Sequence, residues 1–283
     1  MKLGMVYPQI ELGGDPGAAR AIGDAAVDLG YDYLLAYDHV LGAEHADREP
    51  ALWGPYTEND PFHDPFVLFS YLAGRHETLE FATGVIILPQ RQTVLVAKQA
   101  ADLDLLSGER LRLGVGVGWN YVEYEALGQD FSTRGKRANE QIGFMRQLWE
   151  NDVFEWKGEF DSIDRAALVP KPKRQIPVWI GGFSDAAYRR GVRHGDGFMF
   201  AGKGETALPG LDRLRELADE EGRSLDGFGL ELVRSRGTTE EDAVADRQDW
   251  AGIGGTHFAP SSMGMGFETV DDHIAFYERF ISA

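Results

Sequence analysis

Tyr37-Asp38-His39 sets a carboxylate and an imidazole side by side directly after a short apolar run, Tyr33–Ala36. A histidine so placed can give or take a proton near neutral pH, and a carboxylate beside it would hold it and favour its charged form. The competing reading is structural, with Asp38 capping the next loop and His39 packed under it. A second group is Leu111-Arg-Leu-Gly-Val-Gly-Val-Gly-Trp-Asn120, a strand pattern that opens into glycines. Gly114, Gly116 and Gly118 lack Cβ atoms, so a flat ligand could approach the main chain there. Trp119 offers a stacking face and Asn120 an amide. Thr83-Gly84-Val85 places a glycine inside the apolar run Phe81–Pro89, the mark of a bulge, an unusual peptide or a packing need.

Gly181-Gly182-Phe183-Ser184-Asp185 reads as a helix start able to receive an anion, although a plain turn has the same composition. Ala201-Gly202-Lys203-Gly204 adds a cation. A phosphate shared by the two turns would sit where many barrels bind one. Asp38, His39, His45, His63, Asp64 and His76 tempt a metal assignment. Metal barrels, however, draw ligands from several strand ends, so no metal is expected.

Eight apolar segments must position these groups. They begin near Lys2–Tyr7, Tyr33–Ala36, Phe81–Leu88, Leu111–Val117, Val178–Gly181, Gly197–Ala201, Phe228–Val233 and Thr256–Pro260. Helical stretches follow at Pro16–Leu29, Pro65–Arg75, Thr93–Leu106, Lys136–Trp149, Asp185–His194, Leu208–Glu221, Glu240–Ala251 and Thr269–Ile281. This alternation predicts an α/β fold, one (β/α)8 TIM barrel spanning residues 1–283, with insertions after strand two and between strands four and five. An open doubly wound sheet is the competitor, but no Gly-x-Gly-x-x-Gly follows the first strand. The first insertion, Leu41 to Asp64, carries Trp53, Tyr56 and Phe62 and is read as a lid over the barrel mouth. The second, Asn151 to Ile176, reads as a surface excursion around Trp156-Lys-Gly-Glu-Phe160.

The formal charge of −18 argues against nucleic-acid binding, which needs a basic face. No apolar run approaches the roughly 20 residues that span a bilayer. The first seven residues read as a strand, leaving no room for a signal peptide, and cysteine is absent. A cytoplasmic protein with a small-molecule substrate is expected.

Together Asp38-His39, Thr83-Gly84-Val85, the Ser107–Asn120 block and Ile176-Pro-Val-Trp-Ile-Gly-Gly182 resemble the luciferase-like monooxygenase superfamily, particularly its oxidoreductases dependent on the deazaflavin coenzyme F420. The resemblance implies a non-prolyl cis peptide at Gly84–Val85 that backs the deazaflavin ring. It implies that Gly116, Gly118, Trp119 and Asn120 line the ring or its side chain. Gly181, Gly182, Phe183 and Ser184 would hold the phosphate, and Lys203 would supply a cation for a phosphate. Asp38 would touch the ring's polar edge, with His39 as the catalytic proton carrier. Relatives that oxidise a sugar phosphate have a carboxylate after the Gly-x-Gly where this chain has Trp119, which favours a bulkier or more apolar substrate. An FMN-dependent monooxygenase and a cofactor-binding barrel without turnover are the alternatives. Relatives of this kind are commonly homodimers through barrel helices, and the helix from Pro65 to Arg75 offers an apolar patch.

Overall fold

The computed structural model describes all 283 residues. Its strands are β1 (Lys2–Val6), β2 (Tyr33–Ala36), β3 (Glu80–Thr83), β4 (Ile86–Ile87), β5 (Leu111–Gly116), β6 (Phe154–Lys157), β7 (Ser162–Ala166), β8 (Val178–Gly181), β9 (Gly197–Gly202), β10 (Gly229–Arg234) and β11 (His257–Ala259). The α-helices are α1 (Pro16–Asp28), α2 (Pro65–Ala73), α3 (Thr93–Ser107), α4 (Tyr121–Ala126), α5 (Arg134–Glu150), α6 (Asp185–His194), α7 (Gly204–Glu220), α8 (Glu240–Gly252) and α9 (Val270–Ser282). β1 pairs in parallel with both β2 and β11, and β3 pairs with β5, so the sheet closes on itself. Nine strand segments take part. Two of them, β3 and β4, are halves of one stave broken at Gly84–Val85, and both pair with β5. The result is the expected eight-staved TIM barrel.

Local sequence explains where helices begin. Asp15 and Asp64 each cap a helix through side-chain oxygens, with Pro16 and Pro65 at the first helical position, where a missing N–H costs nothing. Ser184, Thr239 and Thr269 cap α6, α8 and α9 in the same way. Apolar faces of these helices meet the outside of the sheet in a core of 51 buried residues. A second cluster of nine, including Tyr33, Leu35, Trp179, Met199 and Met263, fills the barrel lumen. The lumen also holds a buried Arg112–Glu231 ion pair, with the guanidinium 4.2 Å from the centre of the Trp179 ring.

All eight expected staves are present, with shifts of a residue or so at their ends. Two features were not anticipated. The second insertion holds an antiparallel hairpin, β6–β7, whose Trp156 stacks on Phe144 of α5 at 5.2 Å. A short helix, α4, begins directly after Trp119-Asn120. The first insertion contains neither helix nor strand between Leu41 and Asp64.

Candidate active site

The C-terminal ends of the staves form one rim, and His39 stands on it three residues beyond β2. Its side chain is 10% exposed, and its Nδ1 lies 3.4 Å from Glu123 Oε2 on α4. Around the imidazole stand Phe62 (ring centres 4.8 Å apart), Tyr56 (5.2 Å) and Trp119 (5.6 Å). Tyr56 and Phe62 belong to the first insertion, which therefore folds over the mouth as a lid. Trp53, grouped with them in the sequence, points away and is 81% exposed. Gly54 rests on Trp119, where a Cβ would come within 2.3 Å of the indole, so no larger residue fits beneath the lid. Tyr121 Oη donates to the Pro50 carbonyl at 2.6 Å and fastens the same segment from the other side.

Glu123 is the site residue that sequence reading missed. It is fully buried, accepts the N–H groups of Val40 and Leu41 and the Gln90 Nε2 amide, and faces His39. Burial alone would raise its carboxyl, but His39, Gln90 and the Val40 N–H bring it below the ordinary value. Its place three residues after Asn120, whose Oδ1 accepts the Glu123 N–H at 3.3 Å, fits the Asn-x-x-Glu pattern of a helix start. That pattern was the available signal, and it suggests a surface carboxylate.

Several of the expected site residues also make framework contacts. Asp38 is 3% exposed. One of its oxygens accepts the Ile87 N–H at 2.9 Å, and the other pairs with Arg91 Nη2 at 2.7 Å. Burial pushes the Asp38 carboxyl up, while Arg91 and the Ile87 N–H pull against it. Arg91 also holds Asp64, at 2.9 Å, and so pins the far end of the lid. Thr83 is fully buried and donates from Oγ1 to the Gly114 carbonyl at 2.7 Å. Asn120, 2% exposed, caps α4 and donates weakly to the Leu41 carbonyl.

The glycines of β5 also have internal reasons. A Cβ on Gly114 would lie 1.9 Å from the Thr83 carbonyl oxygen, and one on Gly116 would lie 2.6 Å from a Val85 methyl. Gly118, at φ +63°, faces Ile87 in the same way. Neighbouring groups thus occupy the space that a Cβ at these three positions would need. Gly84–Val85 is a cis peptide, and these two are the only residues between Phe81 and Gln90 that surface. Val85 methyls cover both Gly116 and Gly181.

At the opposite side of the rim, Ser184 caps α6, and the N–H groups of Phe183 and Ser184 donate to no acceptor in the protein. Gly182 has φ +151°, and a Cβ there would meet Ala187 at 2.6 Å. Lys203 precedes α7, exposed to solvent. The start of α7 is not open to an anion, because the Gly204 N–H already donates to Asp246 at 3.1 Å. The two turns are therefore not equivalent: free amides are found at α6, and Lys203 stands before α7. Arg236, after β10, lies over Tyr56 at 5.6 Å, near Glu11, whose carboxyl burial raises despite the Gly264 N–H and Arg236.

A closed parallel barrel with a histidine, an aromatic wall and a lid on its C-terminal rim has the architecture in which α/β barrels build their sites. Residues 3–274 match the family described as luciferase-like monooxygenase, and the chain belongs to it. An uncharacterised protein of Mycobacterium tuberculosis (strain H37Rv) is 38% identical over 237 residues, covering 76% of this chain and 81% of that one. The F420-dependent glucose-6-phosphate dehydrogenase of Mycobacterium tuberculosis (strain CDC 1551) is 30% identical over 201 residues, covering 67% and 60%. In three dimensions the chain is similar to an F420-dependent secondary alcohol dehydrogenase solved with an F420–acetone adduct. The TM-score is 0.80 at 16% identity, over 99% of this chain and 98% of that one.

Proposed function

We propose that this barrel is an F420-dependent oxidoreductase that moves a hydride between the deazaflavin and a small organic substrate. The observation that carries the reading is His39 on the rim, its Nδ1 3.4 Å from Glu123 Oε2 and its ring set amid Tyr56, Phe62 and Trp119. The similarity to an F420-dependent dehydrogenase supports the choice of cofactor.

The residues present suit such a group. Gly84 and Val85 form the surfaced part of an otherwise buried stave, a footing for a flat ring system. Phe183, Ser184 and Lys203 offer two amides and a cation to an anionic tail. When bound, the deazaflavin supplies a ring carbon that accepts or releases a hydride but activates oxygen poorly. The protein's part is orientation, exclusion of water and proton transfer. In the oxidising direction His39 Nε2 would take the proton of the substrate O–H as the neighbouring C–H is oxidised. In the reducing direction Nε2 returns it. The lid aromatics keep bulk water from that exchange and favour a substrate with an apolar face.

Titration with oxidised F420 and with FMN, followed by fluorescence, tests the cofactor. F420 should bind and FMN should not. His39→Ala should leave F420 affinity within a few-fold and lower turnover on a panel of secondary alcohols and other small organic substrates by about 10²–10⁴. FMN binding with oxygen consumption would replace this reading by a monooxygenase, and unchanged turnover would remove His39 from the chemistry. The dehydrogenation of a small alcohol or its reverse is the expected class of reaction.

A further inference from the structure

We infer that Glu123 is a positioning residue with two duties, fixing His39 in its Nδ1–H form and clamping the first two amides of the lid. The consequence for turnover rests on His39 being the proton carrier proposed above; the clamp itself does not.

The geometry is specific. Oε2 of Glu123 faces His39 Nδ1 at 3.4 Å and accepts Gln90 Nε2 at 3.0 Å, while Oε1 accepts the N–H of Val40 and, at 3.2 Å, that of Leu41. Every lone-pair direction of the carboxylate is therefore turned to a donor, and its side chain is 1% exposed. The three residues His39, Val40 and Leu41 are consecutive, so one buried anion grips the chain where β2 becomes lid. A carboxylate can only accept, so the imidazole nitrogen facing it must carry hydrogen. Free imidazole side chains prefer hydrogen on Nε2. The pairing reverses that preference and leaves Nε2 with its lone pair toward the mouth, ready to receive a proton.

The same anion makes lid and imidazole move together. Lifting the lid pulls Val40 and Leu41 from Oε1, and the carboxylate that would follow them is the one that orients His39. α4 supplies this anchor because Asn120 starts the helix and directs its first turn inward, where Glu123 meets Gln90 from the end of the third stave. Trp119, which precedes the helix, packs on both His39 and the lid residue His45. The lid base is thus held from above by stacking and from below by charge.

Imidazole ¹⁵N shifts and backbone hydrogen exchange, measured on the whole protein without cofactor, read both duties directly. Wild-type His39, assigned by comparison with His39→Ala, should show the Nδ1–H form when neutral. In Glu123→Leu the Nε2–H form should appear, and the Val40 and Leu41 amides should exchange about tenfold to a hundredfold faster. Glu123→Gln, which keeps one accepting oxygen, should restore most of the amide protection. With F420 bound, Glu123→Leu should lower kcat by about 10²-fold with cofactor affinity unchanged. A wild-type His39 in the Nε2–H form would overturn the inference, even if Glu123→Leu does not fold. So would tautomer and exchange rates that do not respond to Glu123→Leu. Failure of F420 to bind would sink the cofactor assignment while leaving these two spectroscopic results untouched.

Discussion

At Asp38 both carboxylate oxygens are committed, one to the Ile87 N–H and one to Arg91, so the residue is built into the scaffold beside His39. Removing one member of a buried ion pair leaves the other charge under-compensated, and Arg91, only 13% exposed, would keep just the half-buried Asp64. Asp38→Asn should therefore lower the free energy of unfolding in urea by about 3 kcal/mol. F420 affinity per folded molecule should stay unchanged. A variant as stable as the wild type would mean that the pair does not hold β2 to β4. The contrast with His39 shows what a sequence can reveal at this scale. A histidine just past a strand end is visible because rim position and residue type agree. Glu123 was not, because whether a helical carboxylate faces water or protein depends on how α4 packs. Nor was the true role of Gly114 and Gly116, since a missing side chain looks alike whether a ligand or a Thr83 carbonyl needs the room.

Between residues and the whole lie the insertions, where local pattern was least informative. The barrel staves announce themselves as apolar runs because both faces are buried, whereas β6 alternates over only the four residues Phe154-Glu-Trp-Lys and β7 is mostly exposed. What fixes the hairpin is remote in sequence. Glu140 of α5 accepts the N–H groups of Glu159, Phe160 and Asp161 at 2.7, 3.0 and 2.9 Å, and these bonds hold its carboxyl below the ordinary value although burial opposes them. Thr93 at the start of α3 adds a bond to Asp161. Glu140→Ala should free the turn. Exchange of those three amides should rise about tenfold or more, with a shift in Trp156 fluorescence and no change in F420 affinity. Protection that survives the substitution would show that Trp156 stacking alone secures the hairpin. The lid was legible from its position and aromatics, but which aromatics face inward was not. Tyr56 and Phe62 turn in and Trp53 out, a choice made by Gly54 lying flat on Trp119.

For the molecule as a whole, four of the seven histidines are held below their ordinary value, chiefly by burial: His76, His194, His257 at about 3 and His273 at about 4. Above about pH 6.5 each is neutral in both native and unfolded chains and contributes no pH dependence. Below that, the unfolded chain takes protons that the native one refuses, so stability falls, for His273 down to about pH 4 and for His257 to about 3. Carboxylates with lowered values, such as Asp24 and Glu140, add their own loss only below about pH 4.5. Urea midpoints should therefore decline between pH 6.5 and 4.5, and His257→Phe should decline less. A flat profile over that interval would contradict the burial of these rings as neutral groups. Assembly is the second whole-molecule expectation. Val67 and Tyr71 on α2, the helix expected to carry a homodimer patch, are exposed, and the exposed Val94 and Leu95 of the neighbouring α3 add to the apolar surface. Sedimentation should give a dimer, and Val67→Glu with Leu95→Glu should give a monomer. A wild-type monomer would end that proposal. No helix is long and apolar enough to cross a membrane.

The interlock between Val85 and the glycines of two neighbouring staves has a consequence for how such a barrel can diversify. Val85 fills the places that side chains at Gly116 and Gly181 would occupy. Volume at the floor of the mouth is therefore shared property, and growth at one of these three positions demands shrinkage at another. New specificity is accordingly easier to reach through positions of the lid outside its anchoring contacts than through the floor. Descendants of this chain that alter the floor should do so by compensated pairs, a methyl gained at Gly116 accompanied by methyls lost at Val85.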